Sequence, residues 1–265
     1  MYIYSDEHKK YLKKIKLNNI IVFIFRLLIV CLFMITWEFL SKSKVINPFL
    51  YSSPSMIFKT IISLLNNDLL IHISITMYEV LVSFILSSTL GIIIAFVLWW
   101  NKKLFKIVDP YLTIINSLPK VALGPLIIIW IGASTNSIIF MALMISLFTT
   151  IINIYNYFVS TDNNYIIMLK SFGANKLQIF RKIVLPSNIC NIISTLKINI
   201  SLSLIGVIMG ELLVSKMGIG YLIMYGSQVF NLDLVISSIF ILGIISYIMY
   251  LVVAFIEKKY ISKFK

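Results

Sequence analysis

Charge is what this sequence has least of. Only 12% of its 265 residues are Asp, Glu, Lys or Arg, about half the share of a soluble globular domain. Acidic residues are the scarcer sign, ten against 23 Lys and Arg. Cysteine occurs twice, at Cys31 and Cys190, and both fall in apolar runs, which points to neither a disulfide framework nor a metal site. The two histidines, His8 and His72, are far apart and lack ligand-like neighbours. None of the ten glycines belongs to a Gly-Lys-Ser/Thr phosphate loop, so ATP binding by that route is excluded. Gly218-Ile219-Gly220 is no dinucleotide fingerprint, because Ile223 stands where a third glycine is needed. No cluster of His, Asp, Glu or Cys and no Ser–Lys pair suggests a membrane-embedded enzyme. Nothing calls for a cofactor.

What fills the space is apolar. Hydrophobic residues make up 60% of the chain and the mean hydropathy is +0.98, so lipid is the expected solvent and a membrane partner. Crossing about 30 Å of hydrocarbon takes about 20 mostly apolar residues. Six stretches meet that requirement: 19–40, 73–100, 111–131, 137–158, 189–214 and 234–256. The first is too long for a signal-peptide core and has no small-residue cleavage site after it, so it reads as a retained span. The expectation is an all-α membrane protein with a basic segment 1–18, a six-span domain 19–258 and a tail 259–265.

The net charge of +13 is not spread evenly. With the amino terminus in the cytoplasm, the inner connections and ends carry sixteen Lys and Arg and the outer ones four. Lysine and arginine accumulate on the cytoplasmic side of membrane proteins, so both termini are expected inside. Basic residues confined to short gaps between apolar runs, without a nucleic-acid motif, exclude nucleic acid as a partner.

The connections differ in kind. Pro54-Ser55 opens a predicted short outer helix over 55–65, and 221–230 reads as a short re-entrant or interfacial piece. The inner stretch 160–188 is the informative one. Tyr165, Met168, Leu169 and Phe172 are spaced as one helical face, Gly173 offers a left-handed stop, and Leu177, Phe180 and Val184 form a second stripe that Pro186 ends. Two short amphipathic helices of this type suit docking to a soluble partner; an ordinary basic surface loop is the plainer alternative.

The wording of that stretch, Ser171-Phe172-Gly173-Ala174-Asn175-Lys176-Leu177-Gln178-Ile179-Phe180-Arg181-Lys182-Ile183-Val184-Leu185-Pro186, resembles the EAA loop of binding-protein-dependent ABC importer permeases. Gly173, Ala174, Phe180, Leu185 and Pro186 match in place, while Ile167-Met168-Leu169 replaces the Glu-Ala-Ala triplet. Leu118-Pro119-Lys120, Gly124-Pro125-Leu126, Trp130-Ile131-Gly132, Gly210-Glu211-Leu212-Leu213 and Gln228-Val229-Phe230 resemble the nitrate/sulfonate/taurine-type branch.

This resemblance implies a six-helix permease in the plasma membrane, coupled through Met168, Leu169, Ser171, Phe172, Gly173, Ala174, Leu177, Phe180, Leu185 and Pro186 to two copies of an ABC ATPase. It also implies a second permease copy, as a homodimer, an external solute-binding protein, and a small anion such as a sulfonate, taurine or nitrate as cargo. An ion-coupled secondary transporter is the alternative, disfavoured by six spans with one asymmetric loop. Ionisable groups within spans are expensive and invite functional questions. Lys120, beside Asn116, Ser117 and Pro119 in an interrupted helix, either lines the pathway or reaches a carbonyl or lipid phosphate. Glu211, after Gly210, is expected to pair with Lys120 or another base, or to gate.

Overall fold

The computed structural model describes residues 6–261. Twelve α-helices follow in order among them: α1 (Asp6–Lys42), α2 (Pro48–Tyr51), α3 (Pro54–Leu65), α4 (Leu69–Trp100), α5 (Lys102–Ser117), α6 (Gly124–Ile131), α7 (Thr135–Val159), α8 (Asn163–Ser171), α9 (Lys176–Ile179), α10 (Leu185–Val214), α11 (Ile219–Gln228) and α12 (Leu232–Ile261). Five stretches are long and apolar enough to cross a membrane: Tyr11–Lys42, Leu69–Trp100, Thr135–Val159, Lys176–Val214 and Leu232–Lys259. The tail beyond residue 261, with Lys263 and Lys265, lies outside the described residues.

The third span departs from expectation. It begins at Lys102, not residue 111, and is broken: α5 and the segment Lys120–Ile131 meet at 85°. Pro119 is the cause. It has no N–H to donate, and its ring pushes the residue before it out of helical space; Leu118 is accordingly extended at φ −63°, ψ 141°. A 3-10 turn, Lys120–Leu123, then leads into α6. The broken pair still runs along α7 from Tyr155 to Met141. Phe105 stacks on Tyr155, Asn116 meets Thr149, Lys120 meets Ile145, and Gly124 lies against Met141. Counted as one crossing, it restores six.

The core is α4, α7 and α10. Without a strong hydrophobic drive in lipid, helices associate through close packing and internal hydrogen bonds. Gly206 lies so near α7 that a Cβ there would stand 2.4 Å from the Ala142 Cα. One turn on, Gly210 packs on Ile138. Asn199 of α10 donates to Ser88 (2.6 Å) and Ser87 (3.1 Å) of α4; such bonds contribute about 0.6 kcal/mol each. Lys197 of α10 pairs with Glu257 of α12. α3 forms over Pro54–Leu65 as expected, its Ser53 cap accepting from Met56 N. Glu38 of α1 accepts from Ser55 N (3.0 Å) and Oγ (2.9 Å) and so pins α1 to it.

Pro186 does not end the second coupling stripe. The helix runs on from Lys176 to Val214 through a π-turn at Phe180–Val184, where Leu185 N bonds to Phe180 O. The extra residue in that turn accommodates a proline that neither donates to the helix nor tolerates a carbonyl four residues back.

Candidate functional site: a coupling segment and a carboxyl lock

Three groups of residues stand out. The first is the segment joining α7 to α10. α8 starts on Asp162, whose side chain accepts from Asn164 N at 2.8 Å. It ends in a paired-bond stop: Gly173 N donates to Lys170 O (2.9 Å) and Ala174 N to Leu169 O (3.0 Å), with Gly173 at φ +77°. α9 restarts at once on a capping box, in which Asn175 Oδ1 accepts from Gln178 N and Gln178 Oε1 accepts from Asn175 N. That Asn-x-x-Gln signal was present in the sequence and went unread.

The predicted coupling residues divide between two sides. Leu169, Ala174 and Leu185 pack on the core around buried Phe180, which meets Phe96, Trp99 and Phe158. Met168, Ser171, Gly173, Leu177 and Pro186 are exposed, and Phe172 is 79% exposed. Leu169 therefore does not share the outward face of Tyr165, Met168 and Phe172; it turns inward with Ile166. The result is an apolar outward surface on a segment braced from behind.

The second group is at the break in the third span. Half-buried Lys120 donates to Asn116 Oδ1 (2.9 Å) and Ile145 O (3.4 Å), and Thr149 donates to the same amide oxygen (3.2 Å). Ser117 and Pro119 are not part of this cluster: Ser117 bonds back to Ile114 O, and Pro119 precedes the 3-10 turn. Lys120 has no carboxylate partner among the described residues.

The third group corrects the expectation for Glu211, which does not pair with Lys120 or any base. Its carboxyl sits at the amino end of α11, accepting from Thr76 Oγ1 (2.6 Å) and Gly220 N (2.5 Å). Ile219 N donates to Thr76 Oγ1 (2.9 Å) and Gly218 N to His72 Nδ1 (2.9 Å). Three unpaired N–H groups of a helix start are thus satisfied by α4 and α10, and a carboxylate there is favoured by the helix dipole. Glu79 faces Glu211 and Thr135, fully buried, its oxygens without a well-formed hydrogen bond. Thr76 and His72 carried no recognisable motif; their role comes from the fold.

The comparisons agree with this architecture. The family described as binding-protein-dependent transport system inner membrane component matches residues 87–262. The formylaminopyrimidine transport permease protein ThiX of Halalkalibacterium halodurans is 29% identical, over 80% of this chain and 84% of its own. The putative aliphatic sulfonates transport permease protein SsuC of Bacillus subtilis is 25% identical, over 84% and 81% respectively. A chain from inward-facing crystals of the MetNI methionine ABC transporter shares the fold, with a TM-score of 0.62 at 16% identity, covering 73% of this chain and 98% of that one. Helix order, the braced connection and the sequence match lead to one assignment: this chain belongs to the inner-membrane components of binding-protein-dependent transport systems, the permease subunits of ABC importers.

Proposed function

We propose that this permease forms half of a homodimeric pathway in the plasma membrane, takes cargo from an external solute-binding protein, and is driven by two copies of a separate ATPase seated on α8 and α9. The observation that carries this reading is the outward apolar face of Met168, Phe172 and Leu177 on a segment whose other side touches the core through half-buried Ile166, Leu169 and Ala174 and buried Ile179. A segment anchored at Ile179 and Phe180 passes a push from a soluble partner to α10, into which it continues. The same end of the bundle holds Lys102, Lys103, Lys106, Lys176, Arg181 and Lys182, and the positive-inside bias supports it as the cytoplasmic end. The missing Glu-Ala-Ala triplet leaves the docking face apolar rather than acidic.

The test is reconstitution of the full chain with the ATPase and binding protein encoded beside it. Uptake that needs all three components and ATP supports the reading. Uptake by this chain alone, driven by a sodium or proton gradient, overturns it in favour of a secondary transporter.

For the cargo, Lys120 supports one reading. A lysine without a carboxylate partner, at the break of a span, favours an anion such as a sulfonate. Lys120→Met is expected to slow sulfonate uptake roughly tenfold, a change of about 1.4 kcal/mol, while leaving expression and melting temperature unchanged. The likeness to the formylaminopyrimidine permease supports a second reading, a neutral aminopyrimidine. In that case the Lys120→Met variant transports normally, and an aminopyrimidine, not a sulfonate, competes for uptake.

A further inference from the structure

A cavity of about 680 Å³ opens between the α4–α5 corner, the last turns of α7 and the coupling segment. Its walls combine two chemistries. Trp99, Phe105, Tyr155 and Phe158 supply aromatic surface, and Lys102, Lys106, Lys170 and Lys176 supply positive charge. Among the described residues no carboxylate lines it. Asp162 is occupied in capping α8, and Asp109 of α5 is not part of the wall. Lys176 is held in place, donating to the Trp100 carbonyl with its ammonium 5.5 and 5.2 Å from the Trp99 and Trp100 ring centres. Lys102, Lys106 and Lys170 have no ion-pair partner among the described residues.

The depth of the cavity identifies what fits it. α4 is a 32-residue apolar helix that ends in Trp99-Trp100, and Lys102 follows after the cap residue Asn101. Tryptophan pairs followed by lysine mark the boundary between hydrocarbon and water. A basic pocket between helices at that level is suited to an anionic lipid head group. The volume is that of a small-molecule site. Free phosphate would leave the aromatic wall uncovered, whereas the glycerol and first acyl carbons of a phospholipid would cover it.

We propose that this cavity binds the phosphate head of an anionic amphiphile, supplied by a membrane phospholipid, and that the bound lipid braces the inner side of the coupling segment through Lys170 and Lys176. The inference rests on the permease reading only for which leaflet supplies the lipid, and the test below uses symmetric membranes, so either can fail without the other.

The full chain is placed in nanodiscs of phosphatidylcholine with and without phosphatidylglycerol, and retained lipid is counted by native mass spectrometry. Wild type is expected to retain phosphatidylglycerol selectively. The variant Lys102→Gln/Lys106→Gln/Lys170→Gln is expected to lose about fivefold in retention for each lysine neutralised. All three side chains are exposed, so the fold should persist, and an unchanged melting temperature checks this. Lys13→Gln/Lys14→Gln/Lys16→Gln, on α1, serves as the control and should retain lipid normally. Soluble glycerol phosphate separates the two sources of the same chemistry: failure to displace the lipid supports the phospholipid, whereas binding with the same lysine dependence overturns the lipid in favour of a soluble anion. Equal retention of both lipids by wild type, or selective retention undiminished in the triple variant, overturns the proposal.

Discussion

Gly218→Ala is expected to cut the yield of folded protein sharply and to lower the melting temperature of what remains. Gly218 stands at φ +113°, where side chains are strained, and a Cβ there would lie 2.4 Å from both Cδ and Oε1 of Glu211. The carboxyl cannot retreat. It is held by Thr76 on one oxygen and Gly220 N on the other, with Glu79 buried alongside. Backbone strain and overpacking together cost about 3–5 kcal/mol, a large part of the stability of an ordinary domain. Gly243→Ala provides the comparison, because nothing lies within 4 Å of a Cβ there and alanine is the better helix former. Detergent-solubilised yield and a thermal melt of both variants, made side by side, decide the matter. Equal behaviour would show that the lock is not holding α11. Within the same lock, Glu79→Gln should be mild, since an amide can donate to Glu211, whereas Glu211→Ala strands Gly220 N and the Thr76 hydroxyl in the interior.

The parts of this molecule legible in the sequence are those governed by local rules. Apolar length located the spans, the third excepted in its start and its bend, and Gly173 announced the end of α8 because a left-handed stop needs glycine. Pro54 likewise announced α3. What escaped was decided by contacts between distant residues. Glu211 read as a base-seeking or gating acid because its partner Thr76 lies 135 positions away on α4. Pro186 read as a helix end because proline usually is one, yet a π-turn five residues long absorbs it. Pro119 was seen as an interruption, but the size of the bend, 85°, depends on how α5 and α6 each pack on α7. Lys120 lies between these cases. Its break was visible in the sequence, and the carbonyl it reaches, Ile145 O, became visible only in the fold.

The apolar outward face of α8 and α9, proposed to seat the ATPase, leads to the second large effect. Phe172→Asp is expected to abolish ATP-driven uptake while leaving the folded permease intact. Phe172 is 79% exposed, at the stop between α8 and α9, so its ring contributes little to the fold. An exposed aromatic beside other exposed apolar side chains has the character of an interface hot spot, worth about 2–4 kcal/mol when lost, and a buried aspartate in an apolar socket adds a desolvation cost. Affinity for the ATPase should therefore fall about 30-fold to a thousandfold, measured by co-purification and by titration of the ATPase onto permease nanodiscs. Lys182→Ala, exposed but off the apolar stripe, should change it little. Gly173→Ala separates docking from aim: the ring is retained, but the left-handed stop is strained by about 1 kcal/mol, so binding should weaken only modestly while transport per ATP hydrolysed falls. If Phe172→Asp binds the ATPase and transports like wild type, the partner docks elsewhere, and the outward face of α8 is simply membrane surface.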